Sequence, residues 1–157
     1  MPTITTFLTY DNQAEAAVHH YLSVFENGKI LDTKRYGDGA PAPKGTVLSL
    51  TFELFGQTFI ALNGGSSFTF SQGVSLFVAC DTQAEIDRYW EKLTEKGKEV
   101  QCGWLVDQFG VSWQIVPKAL GDMIGSKDVA RSSRAMQAMM KMKKLDLAAL
   151  QRAYDGV

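Results

Sequence analysis

Alternating apolar and polar residues predict a strand and helix pattern that occurs twice along the chain. Residues 55–63, FGQTFIALN, are echoed by residues 109–117, FGVSWQIVP, and both stretches place a Phe-Gly turn before an alternating strand. Residues 7–15, FLTYDNQAE, are echoed by residues 77–85, FVACDTQAE, where a short apolar strand runs into Asp-x-Gln-Ala-Glu and a helical pattern. The repeated order predicts two similar modules, each with its own sheet, and a site where the two modules meet.

The first module is predicted to begin with a strand followed by a helix. Residues 3–10 alternate, which places Thr6 and Leu8 on one side of the strand. Asn12 and Glu15 have the spacing of a capping box, and the helix that follows carries an apolar stripe at i, i+3, i+4 spacing. Such a stripe is typical of a helix that packs on a sheet.

The remaining elements follow from the same patterns. Residues 29–36 and 47–54 are predicted strands, and the Gly- and Pro-rich loop 37–45 between them is either a lid over a site or a plain surface connection. The second module repeats the scheme, with a helix that ends near residue 96. Beyond Pro117 the pattern predicts two short helices, at 130–142 and 145–154. The expected organisation is therefore a first module at 1–70, a second at 71–120 and a helical tail at 121–157.

Composition and charge exclude several partners. The chain has 157 residues, of which 45% are hydrophobic, and no apolar run approaches the ~18 residues of a membrane span. A formal charge of -1 gives no electrostatic reason to expect nucleic acid as a partner. No signal-peptide pattern marks the N-terminus, so we expect a cytoplasmic protein that binds neither membranes nor nucleic acid. Cys80 and Cys102 form no metal-type pair and are interpreted as free thiols in or beside strands.

The tail carries a methionine-rich stripe whose role is open between two interpretations. Met136, Met139, Met140 and Met142 crowd into the first predicted tail helix. A stripe of this kind either packs on the body or on a second subunit, or it forms a peptide-binding surface, and we favour packing. Apolar surface left uncovered there would serve a homodimer, which we therefore predict. The residues expected to contribute are Met136, Met139, Met140, Leu145, Leu147 and Leu150.

The paired modules resemble a known superfamily. Two βαβββ modules in tandem are similar to the vicinal oxygen chelate superfamily, which includes glyoxalase I, extradiol dioxygenases and the bleomycin-resistance proteins. The segments YDNQAEAAVHHYLSVF, FIALNGG, WLVDQFGVSWQIVP and AMMKMKKLDLAALQRAY more closely resemble the PhnB-like family, often labelled "3-demethylubiquinone-9 3-methyltransferase domain". The resemblance implies an α+β fold in which tandem βαβββ modules form a curved mixed sheet, followed here by C-terminal helices.

The resemblance also implies positions for a divalent metal, and this sequence departs from the pattern at each of them. In the superfamily every module supplies two ligands, usually His or Glu, one early in its first strand and one in its last. The matching positions here are Thr6 (or Thr5 after a one-residue slip), Ile60 or nearby Asn63, Ser75 and Gln114. Neutral hydroxyl and amide groups are weak ligands for a transition metal, so we expect neither a metal nor another cofactor. Methyl transfer from S-adenosylmethionine normally uses a doubly wound sheet with a Gly-rich first turn, which is not found here either.

A cleft lined by neutral and apolar side chains remains as the predicted site. Strand alternation sends Phe59 and Trp113 to the opposite face, under the helices. Such a lining suits an uncharged or aromatic small molecule. The predicted lining residues are Thr6, Ile60, Leu62, Asn63, Ser75, Trp104, Gln114 and Val116.

Two functions from different classes stay open at this point. One is a metal-independent small-molecule binding protein with a protective role, as the resemblance to the bleomycin-resistance proteins implies. The other is an enzyme of the same fold, acting on a small organic substrate. The acid–base candidates near the strand ends are Glu53, Asp107 and Asp11, of which the last two are also explained by a turn and a helix cap.

Overall fold

A computed structural model describes all 157 residues, and the chain forms two compact units, Met1–Phe70 and Ser71–Val157. Each unit contains one four-stranded mixed sheet, and the second also contains the C-terminal helices. The predicted α+β class, with tandem βαβββ modules followed by helices, is confirmed.

The first unit is a sheet with one helix packed on it. Its sheet has the order β1-β4-β3-β2, in which the β1–β4 pair is parallel and the other pairs are antiparallel. The elements are β1 (Thr6–Tyr10), α1 (Ala14–Val24), β2 (Lys29–Arg35), β3 (Val47–Leu54) and β4 (Gln57–Asn63).

The helix α1 is held by its apolar stripe and by a long-range cap. Tyr21 and Val18 are fully buried in this stripe, and the Tyr21 and Tyr10 hydroxyls are hydrogen-bonded at 3.1 Å. The predicted capping box is wrong, because the N-cap residue makes no side-chain cap bond. Instead, the Ala14 amide donates to Asn63 Oδ1 at 2.9 Å, so the end of β4 satisfies a donor that the helix start leaves free.

The second unit repeats this arrangement with a shorter outer hairpin. Its sheet has the order β5-β8-β7-β6, again with one parallel pair, β5–β8. Helix α2 begins with a complete capping box between Thr82 and Glu85 and buries Ile86, Trp90 and Leu93. The elements are β5 (Leu76–Cys80), α2 (Gln83–Thr94), β6 (Lys98–Glu99), β7 (Trp104–Val106) and β8 (Ser112–Pro117).

Three helices follow the last strand, one more than the sequence predicts. They are α3 (Lys118–Ile124), α4 (Val129–Met140) and α5 (Leu147–Asp155). The unpredicted α3 starts directly after Pro117, whose extended backbone ends β8 and serves as the helix N-cap. The helices share a hydrophobic cluster with the end of β8, formed by Val116, Leu120, Met123, Ala135, Leu145 and Leu150.

Main-chain hydrogen bonds tie the segment between α4 and α5 to the second sheet. The amides of Cys102 and Gly103 donate to the carbonyls of Met142 and Lys143, both at 2.8 Å. The side chain of Gln83 in α2 makes two further bonds to this segment: its Oε1 accepts from Leu147 N, and its Nε2 donates to Leu145 O. The C-terminal helices are therefore an integral part of the second unit.

This packing corrects the apolar surface expected for a homodimer. Leu145 and Leu150 are fully buried, and Met139 and Leu147 are partly buried against the cluster. Of the predicted interface residues only Met136 and Met140 are exposed. The predicted surface is thus mostly internal.

No helix of the chain combines the length and the apolar character that crossing a membrane requires.

Candidate functional site

Each sheet has one face covered by helix and one open face, and the open faces are where a ligand can reach the strands. In the first sheet, Leu8, Phe52 and Phe59 are buried on the helix side. The register pairs Phe7 with Ile60, so these two residues lie on the opposite, open side. Phe7 is 53% exposed there.

Two predicted cleft residues of the first module lie on the covered side instead. Thr6 pairs with Phe59, and Asn63 pairs with Tyr10, so both share the face that packs on α1. The Asn63 amide is also occupied, because it accepts from Ala14 N and donates to Val47 O at 3.1 Å. The expectation that Thr6 and Asn63 share a face with Ile60 and Leu62 is therefore wrong.

The second sheet has an open face that carries aromatic and neutral polar side chains. The register pairs Gln114 with Phe77 on one side and with Trp104 on the other. Gln114 Nε2 donates to Ser75 Oγ at 2.9 Å, and both side chains are half-buried. The structure thus places the predicted residues Ser75, Trp104 and Gln114 together.

Val116, the last predicted cleft residue, is not available on that face. Its side chain is 7% exposed and belongs to the cluster formed with the C-terminal helices. The expectation that it lines a cleft is wrong, because α3 folds back directly after β8.

Asp107 is a buried carboxylate on the covered side of the second sheet, and its hydrogen bonds are structural. Asp107 Oδ2 accepts from Trp113 Nε1 at 2.8 Å, while its Oδ1 accepts from the amides of Phe109 and Val111. Both carboxylate oxygens therefore fix the Asp-Gln-Phe-Gly turn and the strand behind it. This assigns Asp107 to the turn and not to acid–base chemistry, and it confirms Trp113 as a core aromatic.

The other two acid–base candidates are at the surface of the first unit. Glu53 lies on the open side of β3, where Lys29 Nζ is 3.8 Å from its Oε1. Asp11 is exposed in the turn after β1, where its backbone carbonyl accepts from Gly65 N. Neither carboxylate is enclosed, and neither faces a second catalytic group.

The two cysteines are free thiols in different surroundings. Cys80 is buried, and burial, helped by the carboxylates of Glu85 and Asp81, raises the pKa of its thiol to about 12. A thiol with such a pKa stays protonated and unreactive at neutral pH. Cys102 is half-buried in a left-handed backbone conformation, with φ of 61°.

The donor groups do not fit a divalent metal. No three His, Cys, Asp or Glu side chains form a cluster that could hold one. Of the positions that the superfamily pattern implies, Thr6 faces α1, Ile60 has no donor, and Ser75 and Gln114 are hydrogen-bonded to each other. Neutral oxygens of this kind hold a transition metal poorly against water.

The sequence patterns missed the two most exposed aromatic residues of the open faces. Phe77 is 59% exposed on the second sheet and occupies the same place in its module as Phe7 in the first. Both phenylalanines stand next to an apolar residue that is less exposed, Leu8 or Val78, so alternation alone does not say which one faces solvent. The signal that identifies them is the repeat, which puts Phe at the same position twice.

The fold and the strand repeats place the chain among proteins of one family. The family model described as 3-demethylubiquinone-9 3-methyltransferase matches residues 2–116. It ends one residue before the end of β8, so α3, α4 and α5 lie outside it, although the tail was part of the resemblance seen in the sequence. A comparison with curated proteins found no match.

One solved structure, of a protein 37% identical to this chain, gives the same result. A PhnB protein from Bacillus cereus, described as a 3-demethylubiquinone-9 3-methyltransferase, is 37% identical over 74% of this chain and 99% of its own, with a TM-score of 0.68. A protein from Pseudomonas aeruginosa is 19% identical over 75% of this chain and 98% of its own, with a TM-score of 0.62. A glyoxylase/bleomycin resistance protein/dioxygenase domain from Frankia sp. is 13% identical over 74% and 92%, with a TM-score of 0.48. The resemblance to the PhnB-like family is confirmed.

Proposed function

The chain belongs to the PhnB-like, 3-demethylubiquinone-9 3-methyltransferase family. We propose that it uses the open faces of its two sheets to bind a small, mostly apolar or aromatic organic molecule, and that it does so without a metal. One observation carries the proposal. The open face of the second sheet joins Phe77 and Trp104 to the hydrogen-bonded pair Gln114 and Ser75, and none of these side chains is charged. An apolar surface with a few neutral polar groups suits an uncharged ligand.

The first sheet supports the same ligand class. Its open face carries Phe7, Ile60 and Leu62 at neighbouring register positions. Phe7, Ile60 and Leu62 are uncharged, and the charged side chains of this face lie outside that group, as the pairs Lys29–Glu53 at the far end of β3 and Asp32–Lys34 on the outer strand β2. We therefore assign Ile60 and Leu62 to binding, together with Phe7.

No cofactor belongs to the proposal. The metal positions lack suitable donors, as described above, and the sheets do not offer the site that S-adenosylmethionine usually occupies. Each sheet has a single parallel pair, whereas that cofactor normally binds a doubly wound parallel sheet with a Gly-rich turn before a helix.

An enzyme of the same fold is the second candidate, because the family description names a methyltransferase. It would act on a small organic substrate, as a lyase, dioxygenase or methyltransferase. The carboxylate best placed for acid–base work is Glu53, which lies on an open face. Its partner Lys29 and its exposure leave it an ordinary surface ion pair in this structure.

Two further properties belong to the proposal. A homodimer is supported by Met136 and Met140 on α4, which stay exposed, since exposed apolar side chains are often covered by a partner. Cytoplasmic residence is supported by the free thiols, which are typical of a reducing compartment. Light scattering on the full chain tests the first property, and a monomer at micromolar concentration would end it.

A ligand screen with a matched pair of variants tests the binding function. Uncharged aromatic compounds are screened by thermal shift, and hits are titrated into wild type, Gln114→Leu and Gln108→Leu. We expect Gln114→Leu to change affinity, since it removes the amide from the open face, whereas the exposed turn residue Gln108 serves as the control. Elemental analysis of untagged protein is expected to find no stoichiometric divalent metal. A metal at one per chain, or hits unaffected by Gln114→Leu, would contradict the proposal.

A further inference from the structure

A pocket of about 310 Å³ opens on the second unit, and most of its wall comes from residues 100–106, in and beside β7. Trp104 and Val106 are alternate residues of β7, so both lie on the side that also carries Gln114. An enclosed apolar cavity of about 150 Å³ can hold one benzene ring. The volume on this open face therefore suits a flat molecule of one or two rings.

One part of the wall is fixed by the rest of the unit. Cys102 lies in this wall, and its amide and that of Gly103 donate to the carbonyls of Met142 and Lys143, both at 2.8 Å. The Gly103 carbonyl accepts from Ile115 N on β8, also at 2.8 Å. The C-terminal segment and the sheet thus hold the turn from two sides, so a ligand does not have to order it on binding.

The side chains of the wall define the chemistry of the ligand. Val100, Trp104 and Val106 are apolar and half-buried, and none of the lining residues is charged. The hydroxyl of Ser112 is buried from solvent, so it is not reached from the pocket and does not select the ligand. Contact with the indole and the two valines therefore has to provide the affinity, which favours an uncharged aromatic ring.

The first module shows which residue would put a charge on this wall. There Lys29 is paired with Glu53 across the outer hairpin, and the two side chains form an ion pair at 3.8 Å. At the equivalent places the second module has Lys98 paired with Val106, so the carboxylate is replaced by an apolar side chain. Lys98 is exposed and is not part of the wall. The exchange of Glu for Val thus leaves the wall neutral in the second module only.

We propose that this pocket binds an uncharged, flat aromatic molecule of one or two rings, with the ring against Trp104, Val100 and Val106. The inference rests on the proposed binding function and deepens it, because it names the ligand class and locates the site on the second module. Val106 is the specificity-determining residue, since it keeps a carboxylate out of the wall. Selection in this site is by charge and shape and needs no buried hydrogen bond.

A pair of probes with the same shape and different charge tests the ligand class. Naphthalene-2-carboxamide, which is neutral, and naphthalene-2-carboxylate are titrated into the full chain, and the indole N–H signal of Trp104 is followed by NMR. We expect the carboxamide to shift this signal saturably and to bind at least about fivefold more tightly than the carboxylate, which loses hydration without gaining a counter-charge. A carboxylate that binds as tightly or more tightly overturns the proposal, because Lys98 would then act as its counter-charge.

Val106→Glu and Glu53→Val exchange the equivalent residues of the two modules and test the location of the site. Val106→Glu places a carboxylate in the wall, with Lys98 opposite to pair with it, and we expect it to weaken the carboxamide about tenfold. Glu53→Val, the matched control, should leave the affinity unchanged. Unshifted indole signals of Trp90 and Trp113 show that both variants are folded. Carboxamide binding that persists in Val106→Glu, or that is weakened equally by Glu53→Val, contradicts the proposal.

The outcomes separate this proposal from the binding function. If screened aromatic compounds respond to Gln114→Leu but the carboxamide leaves the Trp104 signal in place, the pocket assignment fails and the binding function stands. If no uncharged aromatic compound binds the wild-type chain, the binding function fails and the pocket assignment fails with it.

Discussion

The two sheets are built on one plan, and they differ most in the outer hairpin. Both place the first strand parallel to the last over five residue pairs, and both follow it with antiparallel neighbours. The outer strands β2 and β3 have seven and eight residues, whereas β6 and β7 have two and three. The parallel strand pair is therefore equally long in both modules, and only the outer hairpin is shorter in the second.

Equivalent positions show what the shortening changes. In the first sheet, Thr58 stands opposite Glu53, which forms an ion pair with Lys29. In the second, Ser112 stands opposite Val106, and a pocket opens beside it. At equivalent positions, the first sheet therefore has a surface ion pair next to Thr58, whereas the second sheet has the buried hydroxyl of Ser112 next to the apolar Val106.

The buried aromatic residues at equivalent positions should give the largest difference between the modules. We expect Phe59→Ala to lower the free energy of unfolding by about 3–4 kcal/mol, and Trp113→Ala by about 5 kcal/mol. The excess arises because Trp113→Ala also leaves the buried Asp107 Oδ2 without its indole donor. Urea unfolding followed by far-UV circular dichroism measures both values, and equal losses would show that the indole–carboxylate bond adds nothing.

The C-terminal segment that follows β8, found only in the second unit, should contribute next. Leu145 is fully buried and lies against Gly103, so we expect Leu145→Ala to cost about 3 kcal/mol. Leu147→Ala, at a half-buried position two residues later, is the control and should cost about 1 kcal/mol. Amide hydrogen exchange should show faster exchange at Cys102 and Gly103 in the first variant. Exchange that is unchanged there would mean that the tail does not support β7.

Two glycines with the same backbone conformation compare the hairpin turns. Gly103 and Gly56 have φ of 84° and 80°, so a side chain at either position costs about 1 kcal/mol from the left-handed backbone. A Cβ on Gly103 would also meet Leu145 Cδ1 at 2.9 Å and Ile115 O at 3.0 Å, whereas Gly56 has open space around it. We expect Gly103→Ala to cost about 2–3 kcal/mol and Gly56→Ala about 1 kcal/mol in thermal unfolding. Equal losses would place Leu145 further from β7 than the structure has it.

The smallest effect is expected at Ser112. Because its buried hydroxyl makes no hydrogen bond, Ser112→Ala should leave the free energy of unfolding unchanged or raise it by up to about 1 kcal/mol. A loss above about 1 kcal/mol would indicate that the hydroxyl has a partner, such as a buried water. Urea unfolding in the absence of aromatic compounds makes the measurement.

The fold was predictable because the repeat supplied two independent versions of each element. Residues 47–54 were predicted as a strand and form β3 with those bounds. The helix α3 was missed, since Lys118 to Ile124 gives less than two turns and its start is marked only by Pro117. Short helices are fixed by packing rather than by local sequence, and here Leu120 and Met123 of α3 are buried in one cluster with Val116, Leu145 and Leu150.

For the candidate site, the sequence predicted the correct strand face only where alternation of apolar and polar residues was unambiguous. Gln114 was placed correctly because Trp113 beside it is a large aromatic residue that belongs in the core. Thr6 was misplaced because Phe7 and Leu8 are both apolar, and alternation cannot decide which of them faces the helix. Ser112 was not singled out at all, since an unpaired hydroxyl becomes visible only when the residue opposite it is known.

The bonds between the loop at Cys102 and the segment at Met142 also set an order of events during synthesis. Residues 1–70 contain every strand of their sheet, so the first unit can fold while the second is still being translated. The second unit is completed later, because the carbonyls that accept from the Cys102 and Gly103 amides are about forty residues further along the chain. Until they emerge, the Cys102 and Gly103 amides that precede β7 lack their acceptors, and the nascent chain consists of a complete first unit and an incomplete second one.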